Sequence, residues 1–294
     1  MDKYQRIDFR DQISRNKIKS FFLMIIIFIT FLLFGYIISL ATDPGFFFII
    51  MIIAIFFSIS YILLSYYNSD KIAIASVGAK KASMQEYKQY YDLVEGLTLA
   101  SGMPMPKLYV MASPQINAFA SGRDPKNAVI CVTEGALTKL DKKELEGVLA
   151  HELGHVASYD MRYMTLVAVM VGMIAIISEL FLRSLWFRGE SNDKGKGVFM
   201  LIGILLAILA PIVVYLVQMS ISRKREFSAD ASAVKFTRYP PGLIGALRKI
   251  KTENAPAEKK VSKALAPLFF SNPFKNLAKT HPPLEERIKV LEKM

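Results

Sequence analysis

Two uninterrupted apolar stretches dominate the first quarter of the chain: Phe21 to Leu40, twenty residues without a charge, and Phe46 to Tyr67, another twenty-two. At about 1.5 Å rise per residue, each is long enough to cross the ~30 Å hydrocarbon core as a helix. The connection Ala41-Thr42-Asp43-Pro44-Gly45 carries turn chemistry and no Lys or Arg, so the two runs predict a tight helical hairpin. A cleaved signal peptide fits poorly. The first run exceeds the usual apolar region of about 7–15 residues, and a second run follows at once. Val198 to Ile221 is a third uncharged run, with Pro211 as an expected kink. Tyr163 to Ser178 is shorter and bracketed by Arg162 and Glu179. It reads either as a span with snorkelling ends or as a core helix packed on protein.

The pattern therefore predicts a mostly α membrane protein with a small β-sheet. Its parts are a basic N-terminus (1–20), a membrane hairpin (21–67), a polar region (68–160), a second hydrophobic hairpin (161–221) and a C-terminal region (222–294). With four transmembrane helices, residues 68–160 and 222–294 lie on the same side.

Charge sharpens that topology. Lys and Arg number 37 against 25 Asp and Glu, a net +12. Residues 1–20 hold six basic and three acidic residues, 220–294 hold sixteen and seven, and 68–160 hold ten and eleven. The excess thus flanks the expected spans, and the positive-inside rule places these regions in the cytoplasm. The loop 183–197, with Arg183, Arg188, Lys194 and Lys196, runs mildly against an outside location. Attraction to an anionic lipid bilayer explains the basic segments, and no nucleic-acid module is recognisable, so nucleic acid is not an expected partner. A 53% hydrophobic composition excludes a disordered chain, and one cysteine excludes a disulfide framework. Cys131 reads as a buried free thiol.

Only three histidines occur, and two of them are His151 and His155. Asp141 is a plausible helix N-cap with Glu144 three positions on, followed by the apolar stripe Leu145, Val148, Leu149. Residues four apart share a helix face, so His151 and His155 can turn ring nitrogens toward one ion. Glu152, rotated by roughly 100°, reaches a water beside that ion. This H-E-x-x-H arrangement fits one Zn²⁺ per chain with Glu152 as general base. With three His and fourteen Glu in the chain, chance predicts ~10⁻³ occurrences.

A catalytic zinc needs a third protein ligand. His281 is one candidate and Glu226 another. Geometry favours Glu226: it lies six residues after Ser220, where the fourth hydrophobic helix ends, as His155 lies six before Met161, where the third begins. In an antiparallel hairpin both fall roughly 9 Å from the apolar run on one membrane side. Asp230, four residues later, is placed to orient a histidine ring.

These residues resemble the HtpX-type membrane zinc metalloproteases, relatives of the CAAX prenyl endopeptidases. Further stretches extend the likeness to about residues 20–290. They are Gly102 to Val110, Asn117 to Gly122, Ala128 to Leu137 and Thr280-His281-Pro282-Pro-Leu-Glu-Glu-Arg287-Ile288. The resemblance implies a cytoplasm-facing, zincin-like α+β catalytic domain and an endopeptidase acting on damaged or misassembled membrane proteins. It also implies that His281, with Arg287 six residues on, stabilises the oxyanion. His281 has two further readings: a ligand in zinc's open position that keeps the enzyme latent, or a structural histidine before a Pro-Pro turn. Arg287 reads as pairing with a cleft carboxylate or as an exposed helix charge.

Val129 to Thr133 is β-branched and bounded by turn residues, which predicts a strand. An edge strand beside a zinc helix holds a polypeptide substrate by main-chain hydrogen bonds, and Asn117, Ala118 and Phe119 are expected to line the same groove. The rival from another class is a metal-binding quality-control scaffold without turnover. The intact Glu152 speaks against it, because a scaffold needs the ligands but not the base.

Overall fold

The structure is a computed structural model that describes residues 9–40, 43–169, 172, 174, 203–205, 223–253, 269–270 and 282–294. Helices α1 (Phe9–Ser39) and α2 (Phe47–Tyr67) form the expected hairpin, joined through a short 3-10 turn, Pro44–Phe46, that Asp43 caps. Their long apolar faces look outward: Phe48 and Phe56 are each 75% exposed. A core helix of a water-soluble protein would bury such side chains, whereas lipid accepts them. Two stretches, Ile13–Ser39 and Pro44–Tyr67, are long and apolar enough to span. The helices cross where a Cβ on Gly35 would stand 2.5 Å from Ala54 Cβ, so a side chain here would force them apart.

Helix α1 begins at Phe9, about three turns before the apolar run. Its polar start is not a solvated tail. Asn16 and Ser20 are 3% and 1% exposed, because this end docks onto the protein. The expected third span starts as helix α7, residues 160–169, while most of its remainder and nearly all of the fourth lie outside the described residues.

After α3 (Ser69–Ser76) the chain builds a four-stranded sheet from β1 (Lys80–Lys81), β2 (Lys107–Met111), β3 (Ala118–Ser121) and β4 (Val129–Thr133), in the order β1-β2-β4-β3. β2 and β4 run parallel, and the outer pairings are antiparallel. Val129–Thr133 is a strand as expected, but it lies inside the sheet, and the edge position falls to Ala118–Ser121. All five β4 residues are buried because both sheet faces are covered. Ile130 and Val132 pack toward α4 (Lys88–Ser101) and α6 (Lys142–Ala157), while Val129 and Cys131 pack toward α3 and α7. This explains an unbroken β-branched run without alternation.

Helix α6 starts with the predicted capping box. Asp141 Oδ1 accepts from the Lys143 and Glu144 amides, and Glu144 Oε2 accepts from the Asp141 amide at 2.8 Å. Between α4 and α6 lies α5 (Glu134–Lys139), and α8 (Arg223–Thr237), α9 (Pro240–Glu253) and α10 (Leu284–Leu291) complete the described helices. α8 and α9 pack on α6, which sinks Leu145 through Val156 into the core, apart from the half-buried Glu146.

Candidate metal centre

α6 presents His151 and His155 on one face, and α8 brings Glu226 opposite them. Gly154 permits the approach: a Cβ there would stand 3.0 Å from Ser232 Cβ and 3.2 Å from the Ala229 backbone. The two histidine Nε2 atoms are 3.1 Å apart. Glu226 Oε2 is 3.7 Å from His151 Nε2, and Oε1 is 3.7 Å from His155 Nε2. All three side chains are buried, and one ligand atom from each lies within 4.8 Å of the others. A tetrahedral ion with bonds of about 2.0–2.1 Å separates its donors by roughly 3.4 Å, so the spacing fits zinc.

The outer nitrogens support the same fit. His151 Nδ1 donates to Asp230 Oδ1 at 2.9 Å, and His155 Nδ1 donates to Asp160 Oδ2 at 3.3 Å. With Nδ1 of each ring engaged by a carboxylate, both Nε2 atoms are left facing one another and Glu226, an arrangement that a cation in place of a proton resolves.

Each carboxylate is itself gripped by an arginine. Arg287, fully buried, donates from Nη2 to Asp230 Oδ1 at 2.6 Å and from Nε to Oδ2 at 2.9 Å, and its Nη1 stands 3.3 Å from Glu226 Oε2. Arg225 Nε stands 3.2 Å from Asp160 Oδ1. Burial alone would raise both aspartates. The Arg287 charge beside Asp230, and the His155 bond with the Arg225 charge at Asp160, hold them below the usual carboxylate range instead.

Glu152 is 2% exposed, and the Ala120 amide of β3 favours its charged form. Burial, assisted by the Glu226 charge, pushes its carboxyl up to about 7. Burial and the Arg287 charge lower His151 to about 4. At His155, burial opposes the charge, but the Asp160 hydrogen bond and the Glu226 carboxylate outweigh it and raise the ring to about 9.

The family model for peptidase family M48 matches residues 84–294. The chain belongs to that family. It is similar to the protease HtpX homologue of Dictyoglomus thermophilum, 40% identical over 97% of this chain and 95% of that protein. The HtpX homologue of Caldanaerobacter subterraneus subsp. tengcongensis is 44% identical over 83% of this chain and 84% of its own length. The crystal structure of S. mikatae Ste24p shares the fold, with a TM-score of 0.51 and 23% identity. That alignment covers 95% of this chain but 65% of the larger protein. An M48 peptidase with two lipid-facing helices is a membrane protease, and its three converging donors are a possible metal site.

Of the other expected site residues, Asn117 lies just before β3, where its amide donates to Thr133 Oγ1 and its carbonyl accepts from the Thr133 amide. Ala118 begins the edge strand, and its carbonyl accepts from the Phe270 amide at 2.8 Å. Phe119 turns to the sheet face opposite α6 and packs on Phe269. His281 lies outside the described residues. Sequence reasoning missed Asp160, Arg225 as its partner, Asn16, and Phe270, whose ring stands edge-on to His151 and against the Arg287 guanidinium, each at 4.8 Å. Asp160, five residues after His155 and directly after the turn that ends α6, was the one with a readable signal.

Proposed function

We propose that the protein is a zinc-dependent endopeptidase of the cytoplasmic membrane that hydrolyses peptide bonds of membrane or misfolded proteins. The observation that carries this reading is the convergence of His151, His155 and Glu226 with Glu152 beside them, in a chain of family M48. His151, His155 and Glu226 would hold one Zn²⁺ per chain. The ion supplies a Lewis acid that polarises the scissile carbonyl and makes water acidic enough to attack near neutral pH.

Glu152 takes the proton from the attacking water and delivers it to the leaving amine. A carboxyl lifted toward neutrality by burial suits both directions of transfer. Asp230 and Asp160 hold the two rings so that their Nε2 atoms face inward, and Arg287 balances the charge of Asp230 and Glu226. Asn117, Ala118 and Phe119 belong to the segment along which a substrate would extend. A substrate strand taking the outer edge of β3 competes with Phe270 for the Ala118 carbonyl. His281 would donate to the oxyanion from the stretch just before α10. The basic segments flanking the hairpin support an active site facing the cytoplasm.

The test is the isosteric Glu152→Gln variant with an unfolded membrane protein as substrate. Removing the base lowers turnover about 10²–10⁴-fold, while zinc remains at one per chain. Turnover at the wild-type rate would overturn the assignment.

A further inference from the structure

The two histidine–carboxylate pairs are built differently. Asp230 is fixed by Arg287 from α10, within the region that carries the zinc helix. Asp160 opens α7 directly after the turn that ends α6, and part of its support comes from the membrane hairpin. Asn16, on the first turns of α1 and 3% exposed, spends both hydrogens of its side-chain amide on this turn. One goes to the Ser158 carbonyl at 3.0 Å and the other to Asp160 Oδ1 at 2.6 Å. Asp160 Oδ1 also faces Arg225 Nε, while Oδ2 accepts from Ser158 Oγ at 2.7 Å and from His155 Nδ1. Every lone-pair direction of the carboxylate is thereby engaged, and its orientation toward the histidine is set from both sides.

The turn itself needs external support. Tyr159 adopts φ +60°, a left-handed conformation that is unfavourable for a side chain of this size. Directly after it, Asp160 Oδ2 stands 3.3 Å from His155 Nδ1. Strain of this kind persists where neighbours hold it. One such neighbour is again from α1: Lys17 Nζ lies 4.8 Å from the Tyr159 ring, and Arg162 of α7 stands 5.1 Å from the same ring. Consecutive residues of α1 therefore clamp consecutive residues of the turn, 142 and 144 positions away in sequence.

We infer that Asn16 is a positioning residue of the metal centre, which holds Asp160 so that His155 keeps its nitrogen aimed at the ion, and that metal retention therefore depends on the seating of the membrane hairpin. This rests on the zinc reading above. Partners that orient ligating histidines change metal affinity by about 10–100-fold when removed, and Asn16 acts one step further out, through Asp160.

The experiment follows zinc release from the full-length, zinc-loaded protein into excess chromogenic chelator. Asn16→Ala is expected to release zinc about tenfold faster than wild type. Asn16→Asp keeps the side chain's volume but turns a carboxylate toward Asp160, and is expected to release it faster still. Thr30→Ala, which removes a buried hydroxyl bonded to the Ile26 carbonyl on the same helix, is expected to behave as wild type. The decisive arm is the Asp160→Asn background. There Asn16→Ala is expected to add less than twofold, because its effect runs through that carboxylate, whereas a general loosening of the fold would multiply the rate equally in both backgrounds. Unchanged release from Asn16→Ala, or the same factor in both backgrounds, overturns the inference while leaving zinc binding intact. A wild-type protein that binds no zinc overturns the metal reading itself.

Discussion

Glu152 and His155 are held in environments that favour their protonated forms, and His151 in one that favours its neutral form. Glu152 moves from an ordinary 4.5 to about 7, His155 from 6.5 to about 9 and His151 from 6.5 to about 4. A raised folded-state pKa contributes stability that is complete below the unfolded value and is lost as pH rises through the folded one. A lowered histidine gains stability as pH rises from 4 to 6.5. For protein stripped by a chelator, these three groups offset one another from about pH 4.5 to 6.5, so the thermal midpoint is expected to be level there and to fall from about pH 6.5 toward pH 9. If the site holds zinc as proposed, the ion would replace the proton on His155 and remove most of that fall. A midpoint of the stripped protein that stays level or rises between pH 7 and 9 would contradict this assignment of charges. Much of this residue-scale picture was legible in the sequence, because His151, Glu152 and His155 share one helix and helical spacing fixes their faces. Asp160, Arg225 and Asn16 were missed: Asp160, though five residues from His155, meets it after a left-handed turn, and Arg225 and Asn16 reach that carboxylate from elements remote in sequence, Asn16 across more than 140 residues.

At the scale of elements, the contact between α6 and α8 decides whether a third ligand exists. Gly154 makes that contact possible, and the sequence reading used it only as a spacer in the motif. Gly154→Ala is expected to push α8 outward, costing about 1–3 kcal/mol through overpacking and lowering zinc occupancy. Gly96→Ala in α4, where an added Cβ meets nothing within 4 Å, is expected to be neutral or to stabilise by about 0.5–1 kcal/mol. Thermal unfolding and zinc content of the two variants check this, and equal behaviour would remove the packing argument. The strand β4 was legible from its β-branched run, but its place inside the sheet was not. Strand order follows from which neighbours cover each face, and Phe269 and the residues of α7 that do so are far away in sequence. That α1 already begins at Phe9 was not legible in the hydrophobic pattern, because residues 9–20 are polar and the surface that buries Asn16 and Ser20 is remote in sequence.

Across the whole molecule, the membrane hairpin and the metal centre form one structure. Basic residues flank the hairpin, and the near-neutral segment 68–160 carries the helix of His151 and His155. The topology predicts that Lys142→Cys, at the exposed start of α6, is labelled by a membrane-impermeant thiol reagent only from the cytoplasmic side. Phe46→Cys, in the hairpin turn, is expected to be labelled only from outside. The native Cys131 serves as a silent background, since it is 1% exposed and burial pushes its thiol up. Labelling of both positions from the same side would contradict the hairpin as a membrane-crossing pair.

The central claim is that His151, His155 and Glu226 together hold a catalytic zinc. Metal analysis of the purified full-length protein and its variants tests it most directly. One zinc per chain is expected in wild type, Glu152→Gln and His281→Ala, with loss of stoichiometric zinc in His151→Ala and Glu226→Ala. A Glu226→Ala protein that keeps its full zinc would contradict the account.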